Sequence, residues 1–409
     1  MTLRLSTASI YATGTSQINT LQSQIAKTQM QLSTNKRVLT AADDPIASAR
    51  ALEVTQSQSM NTQFGTNRSA ARASLSLVDK TLQDVSAQMT DIQSLIVTAG
   101  NGGYTQSDRE ALATELEGRL KDMLGLANTA DGTGGYLFSG YKSTTQPFTQ
   151  TTTGATYQGD QGQRSLQVGS TRKMPISESG SAIFETIKTG NGKFQALQGD
   201  ANKGSGIVSP GSVVDSSKLT GDNYAINFTK TGTPAVTTYT VVDTSKNPTV
   251  NVLEDQPYTA GASITFDGMS LDIKGEPADG DTFSVKPSEN QSVFTTITDL
   301  IQTLRMPADG STGKAELANR LAEAGSNMKN ALDNVLTVQA SVGAREKELD
   351  YLDSTGDDLN IQYQSTLEDL TGLDMVKAIS LFSQQQTTLQ AAQVSFKTMS
   401  GLSLFNYIS

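Results

Sequence analysis

The sequence predicts an α+β protein: a helical rod of coiled-coil character built from both chain ends, with an all-β domain inserted between them. Two observations carry the helical part. Apolar residues recur at alternating three- and four-residue steps over 46–99 and again over 317–370, and each stretch is 54 residues long. At the rise of a helix each would extend about 80 Å, and two equal helices flanking an insertion are naturally antiparallel partners. The third observation places the sheet. Between about Ser143 and Ser288 the composition turns to Thr, Gly, Ser and Val with two-residue alternation. The expected division is terminal coiled-coil helices at 1–45 and 371–409, a helical rod core at 46–140 and 290–370, and a β domain at 141–289.

The first helix is thin. Ile18, Leu21, Ile25, Thr28 and Leu32 form a seam in a segment otherwise rich in Gln, Ser and Thr. Such a helix is marginal alone and needs a partner. The connection STNKRVLTAADDPIASARAL, Ser33 to Leu52, carries the basic pair Lys36 and Arg37 and then starts the second helix. Asp44 suits an N-cap, Pro45 the first helical position, and Asp43 the positive end of the dipole. Asn35 tolerates positive φ.

The second helix has a strict register: Leu75, Val78, Leu82, Val85, Met89, Ile92 and Ile96. Carried backwards it meets Ala71, Phe64 and Val54 but also Arg68, Asn61 and Ser57, so the first half is expected to be less buried. Gly100–Gly103 stops it. Ser107 and Glu110 read as a capping box for a third helix bearing Leu112, Leu116, Leu120, Leu124 and Ala127. The glycine-rich DGTGG turn ends that helix.

In the β segment Tyr224, Ile226 and Phe228 alternate, as do Tyr239 with Val241 and Phe283 with Val285. Asp267-Gly268 between Phe266 and Met269 reads as a tight hairpin turn. The stretch 190–223 has no clear pattern. Helical spacing returns with Val293, Ile297, Leu300, Ile301 and Leu304 and stops at Met306-Pro307. The long register from Leu317 to Leu370 is interrupted only at Arg345, Gly356 and Thr366. After Gly372 a last helix places Met375, Ile379, Phe382, Leu389 and Phe396 in one register, and the chain closes on LSLFNYIS with Leu404 and Phe405.

Composition narrows the chemistry. Among 409 residues 41 are acidic and 31 basic, a net charge of −10 that argues against a nucleic-acid partner. Cys, His and Trp are absent, which removes thiolate and imidazole chemistry, disulfides and Ser-His-Asp triads. No apolar run approaches the ~20 residues of a membrane span, and the amino end lacks the apolar core of a cleavable signal. Asp43-Asp44 and Asp357-Asp358 are the obvious carboxylate pairs, the first explained by capping and the second by a polar helix face. Gly310–Lys314 falls short of a phosphate loop and Asp279-Gly280-Asp281 of a calcium loop. No enzyme, metal or cofactor is expected.

The strings STNKRV and ADDPIA near the amino end resemble the signature of the bacterial flagellin family. So do ANTADGTGGYLFSGYK at the exit from the first helices and DNVLTVQASVGAREKELD in the long carboxyl-side helix. TYQGDQGQRSLQVG, ITFDGMSLDIKGEPADGDTFSVKP and the closing LSLFNYIS are similar to the hook-associated branch more than to filament flagellin. Lys36, Arg37, Asp43, Asp44 and Pro45 fall on the signature. The resemblance implies a non-enzymatic subunit at the hook–filament junction outside the cell, exported unfolded without a cleaved signal and served by an export chaperone. Its implied partners are copies of itself, a neighbouring hook-associated protein and flagellin. Assembly would run through Ile18, Leu21, Ile25 and Leu32 and through Ile379, Phe382, Leu389, Phe396, Leu404 and Phe405. Filament flagellin is the alternative within the family, and a secreted coiled-coil adhesin is the alternative outside it.

Overall fold

The structure, a computed structural model, describes residues 7–401. It is mixed helix and sheet. Helix α1 spans Thr7–Thr34, α2 Pro45–Ala99 and α3 Gln106–Ala127. Strands β1 (Phe148–Thr151), β2 (Gly154–Tyr157), β3 (Ser165–Gln167) and β4 (Lys173–Pro175) precede the short α4 (Gly180–Phe184). Then come β5 (Ile187–Lys188), β6 (Phe194–Gln198), β7 (Ile207–Val208), β8 (Ser212–Val213), β9 (Tyr224–Thr231) and β10 (Val236–Asp243). Strands β11 (Val250–Pro257), β12 (Ser263–Phe266), β13 (Met269–Lys274), β14 (Thr282–Pro287) and β15 (Asn290–Gln291) follow. The chain closes with α5 (Val293–Arg305), α6 (Gly310–Thr371) and α7 (Met375–Gly401). Two compact units result: a terminal unit up to Thr66 and from Tyr351 onward, and a central unit Asn67–Asp350.

In the central unit α2 and α6 run antiparallel, since Arg72 meets Asp350 at 2.7 Å and Asp79 accepts from Gln339 at 3.1 Å. The α2 register is buried as its spacing predicts, with Leu75, Leu82, Val85, Met89 and Ile92 all at 0% exposure. On α6, Met328, Ala331, Val335, Val342 and Leu349 are buried in turn. Two polar interruptions of this part are packed in as well, Arg68 buried and Arg345 half-buried. Arg68 donates to the Val168 carbonyl at 3.1 Å, and Arg345 pairs with Glu178 at 2.6 Å. In the terminal unit Asn61 donates to the carbonyl of Gly356 at 2.7 Å, so an interruption in one seam meets an interruption in the other. Reduced burial of the first half of α2 therefore does not extend to Asn61 or Arg68. Each has a carbonyl that makes burial tolerable.

The β3–β4 hairpin is fastened to both long helices. Asn67 donates to the Gln167 carbonyl at 2.7 Å, and Arg172 pairs with Glu348 at 2.5 Å. The segment that follows α3 also enters the helical core. Phe138, Phe148, Tyr157, Phe184 and Phe294 form a ring cluster with neighbouring centroids 5.0–5.8 Å apart. Asp131 organises the DGTGG turn by accepting from the amides of Thr133 and Gly135, with Gly132 and Gly134 at positive φ.

A separate core lies further on. The five-stranded antiparallel sheet β11-β10-β9-β14-β6 and the sheet β12-β13-β7, with β8 also on β13, share buried Tyr224, Ile226, Phe228, Phe266, Leu271 and Phe283. The alternation predicted for β9 and β14 is met. So is the hairpin turn, with Asp267 at φ 40 and Gly268 at φ 76 between paired Phe266 and Met269. The stretch 190–223 supplies β6, β7 and β8. Its pattern was illegible because it makes strands of two to five residues. Amides of α6 hold this region: Asn319 accepts from Val208 N at 2.8 Å, and Asn327 accepts from Gly190 N at 2.8 Å.

The third helix corrects the expected cap. Thr105 and Asp108, not Ser107 and Glu110, form the capping box. Asp reaches back to the N-cap amide as well as Glu does, here at 2.8 Å.

Two predictions follow from these cores. Leu82→Ala should lower stability by about 2–5 kcal/mol, and Leu82→Asp by more, measured by thermal melting of the purified chain. The amide of Ser288 donates to the carbonyl of Lys193 at 3.0 Å, so these ends can be joined. Excising 194–287 with a short Gly-Ser linker should keep the helical circular dichroism signal. Excising 143–288 should not, because it removes Phe148 and Phe184 from the ring cluster. Equal helicity in both deletions would show that the cluster is dispensable.

Candidate assembly surface

In the terminal unit α1 and α7 pack antiparallel along their length. Thr28, buried, donates to Gln385 at 2.9 Å, and nearer the chain ends Tyr11 meets Phe396 edge-on at 5.2 Å. Ile18, Leu21, Ile25 and Leu32 are half-buried on this seam, as are Phe382, Leu389 and Phe396 on the facing helix. Gly14 completes it. A Cβ there would lie 2.6 Å from the Phe396 ring, so only glycine admits the ring. The α7 register departs from expectation by one position. Ala378, Phe382, Gln385, Leu389, Ala392 and Phe396 face α1, whereas Met375 is exposed and Ile379 is 52% exposed. Gln385 is held there by its hydrogen bond from Thr28, and Phe396 by the space that Gly14 leaves. Leu404 and Phe405 lie outside the described residues.

The signature residues build the turn between α1 and α2. Asn35 takes φ 54, the left-handed conformation its type tolerates. Asp44 caps α2 by accepting from Ala47 N at 3.0 Å, and Pro45 opens the helix. Arg37 reaches Asp44 at 3.2 Å and the Leu370 carbonyl at 2.9 Å, while its own amide donates to Thr371 O at 2.7 Å. Lys36 bridges Gly372 through its backbone. The turn is thereby tied to the α6–α7 turn. Asp43 does more than complement a dipole. It forms an ion pair with Lys27 and accepts from the amides of Leu39 and Thr40, both at 3.0 Å. The Lys27 contact and these amides hold its carboxyl at about 2. The capping amide of Ala47, aided by Arg37, lowers that of Asp44. No sequence signal paired Lys27 with Asp43, because the contact closes only when the loop folds back.

Apolar side chains outnumber the burial available. Among the described residues, most exposed large apolar groups belong to the terminal unit, including Met30, Ile46, Leu52, Ile361, Val376 and Val394. Val376 and Val394, 80% and 66% exposed, lie roughly 160° round α7 from the α1 seam at 100° per residue. A helix apolar on opposite faces is one that several neighbours surround. No helix among the described residues is long and apolar enough to cross a membrane, and no cluster of potential metal ligands occurs among them.

The model of the bacterial flagellin N-terminal helical region matches residues 5–143. The model of the D2-like domain of flagellar hook-associated protein 1 matches residues 198–287. Flagellar hook-associated protein 3 of Salmonella typhimurium is 29% identical over 404 residues, 98% of this chain and 99% of its own. The crystal structure of flagellar hook-associated protein 3 from Legionella pneumophila matches with TM-score 0.74 and 30% identity, covering 78% of this chain and 98% of that one. The chain belongs to the flagellar hook-associated protein 3 family. The structure of the flagellar junction protein from Legionella pneumophila is similar as well, with TM-score 0.72 and 30% identity over 79% of this chain and all of that one.

Two outcomes test this geometry. Gly14→Leu should displace Phe396 and lower the first unfolding transition, assigned to the terminal unit, while leaving that of the central unit in place; calorimetry reads both. Asp43 has a folded pKa of about 2, below the ordinary 3.8, so its contribution is complete above about pH 4 and is lost as pH falls towards 2. Asp43→Asn should therefore destabilise at neutral pH and erase part of the acid dependence. A variant whose stability tracks the parent in parallel from pH 7 to pH 2 would remove Asp43 from the turn.

Proposed function

We propose that the chain is a structural subunit of the bacterial flagellum at the hook–filament junction, assembled through its terminal helices. The observation that carries the assembly mechanism is the surplus of exposed apolar groups on α1, α7 and the adjoining turns of α2 and α6. Family membership supports the location. Neighbouring subunits would bury Val376, Val394 and Ile379, while Ile18, Leu21, Ile25, Leu32, Phe382, Leu389 and Phe396 hold each α1–α7 pair together. Partners are further copies, a neighbouring hook-associated protein and flagellin. Thin seams at both ends also suit export in an unfolded state with the help of a chaperone, since little folding free energy opposes their unravelling. The role is mechanical.

Surface substitutions separate internal packing from assembly. Val376→Asp and Val394→Asp should leave the melting temperature of the isolated chain nearly unchanged yet block incorporation at the junction and abolish motility. Phe396→Asp should do both kinds of harm, because Tyr11 and Gly14 of the same chain pack on that ring. A melting temperature lowered by Val376→Asp as far as by Leu82→Asp would place Val376 inside the monomer's own core. Limited proteolysis should cut α1 and α7 first in dilute monomer and spare them in assembled flagella.

A further inference from the structure

At one end of the central unit, the start of α6, the loop after α2 and the first turn of α3 enclose a cavity of about 420 Å³. That is within the range of small-ligand sites. Ala99, Tyr104, Leu317 and Leu321 supply apolar wall, and Arg109 and Lys314 supply the cations. Arg109 is only 7% exposed. Its guanidinium donates to the Tyr104 carbonyl at 3.3 Å and to Gln106 Oε1, while Nε is buried and has no hydrogen-bond partner among the described residues. No carboxylate forms an ion pair with Arg109 or with Lys314 among the described residues. Arginine does not deprotonate in proteins, and a buried charge left unpaired is costly. Two neutral oxygens compensate it only in part.

We propose that this cavity binds a carboxylate carried on an apolar stem, with the charge at Arg109 and Lys314 and the stem against Leu317 and Leu321. A compact inorganic anion would leave the leucine wall wet. An uncharged apolar group would desolvate Arg109 further with nothing to balance it. The exposed Lys314 gives the entering carboxylate an attractive rim, which the exposed Asp309 on the same cavity weakens. The carboxylate can belong to a free small acid or to an acidic side chain next to an apolar one.

Titration of the full chain with hexanoate, followed through the methyl signals of Leu317 and Leu321, tests this. Saturable shifts are expected with a Kd on the order of 1 mM for a ligand this small. Hexanol, with the stem but no charge, and acetate, with the charge but no stem, should each bind at least several-fold more weakly. Lys314→Gln should weaken hexanoate about threefold, and Asp309→Asn should strengthen it by a similar factor, as exposed charges do. Both positions are on the surface, so the variants fold. A capped Ala-Leu-Glu-Ala peptide compared with hexanoate identifies the source: tighter peptide binding means a protein side chain, tighter hexanoate a free acid. Equal shifts with hexanol and hexanoate, insensitivity to both substitutions, or no saturation at about 50 mM would overturn the proposal.

Discussion

A long apolar seam packs almost as well after a slip of one heptad, because every repeat offers the same kind of contact. Polar groups inside the seam do not allow that slip. Here Asn61 finds the Gly356 carbonyl, Arg68 the Val168 carbonyl, and Arg345 the carboxylate of Glu178. A slip would part Asn61 from Gly356, and the segment that carries Val168 and Glu178 would no longer meet Arg68 on α2 and Arg345 on α6 together. Such groups commonly add little net stability beside apolar replacements, but they make the wrong pairing expensive. The rest of each unit depends on α2 and α6 being in this one alignment.

The β region depends on it directly. Its attachments to α6 are mostly amide to backbone: Asn319 to Val208 and Gly206, Asn327 to Gly190, Asn330 to Lys188, Asn334 to Ile183. Each needs its asparagine at a fixed height along the helix, so a displaced helix would lose them together. The β3–β4 hairpin adds ties to α2 through Asn67 and Arg68 and to α6 through Glu348. The outer sheets, by contrast, carry their own aromatic core and owe the helices position more than stability.

The terminal unit follows the opposite logic. Its helices meet over half-buried apolar groups interrupted by Gly14, Thr28, Gln385 and Ala392, small or polar residues that bury little area. The signature turn compensates locally, with Arg37 tying two helix ends together and Asp43 holding Lys27 and the loop amides. Weak internal packing beside exposed Val376 and Val394 is the arrangement expected of a surface completed by neighbours.

The sequence by itself determined the kinds of element and their periods, because these depend on residues a few positions apart. The registers of α2 and α6, the Asp44-Pro45 start of α2, the positive φ of Asn35 and the Asp267-Gly268 turn are all local chemistry. Family resemblance was legible for the same reason, in short strings at both ends. Tertiary structure alone decided which candidates were buried and by what. Arg68 and Asn61 looked like weak points until distant carbonyls met them. Ile379 looked like seam, yet α7 buries Ala378 beside it and leaves Ile379 half exposed. Phe148 and Phe184 fall within the stretch expected to be all β, yet they complete a helical core with Phe294. Apolarity fixes a side chain's preference for burial, but the surface that grants it comes from elsewhere in the chain.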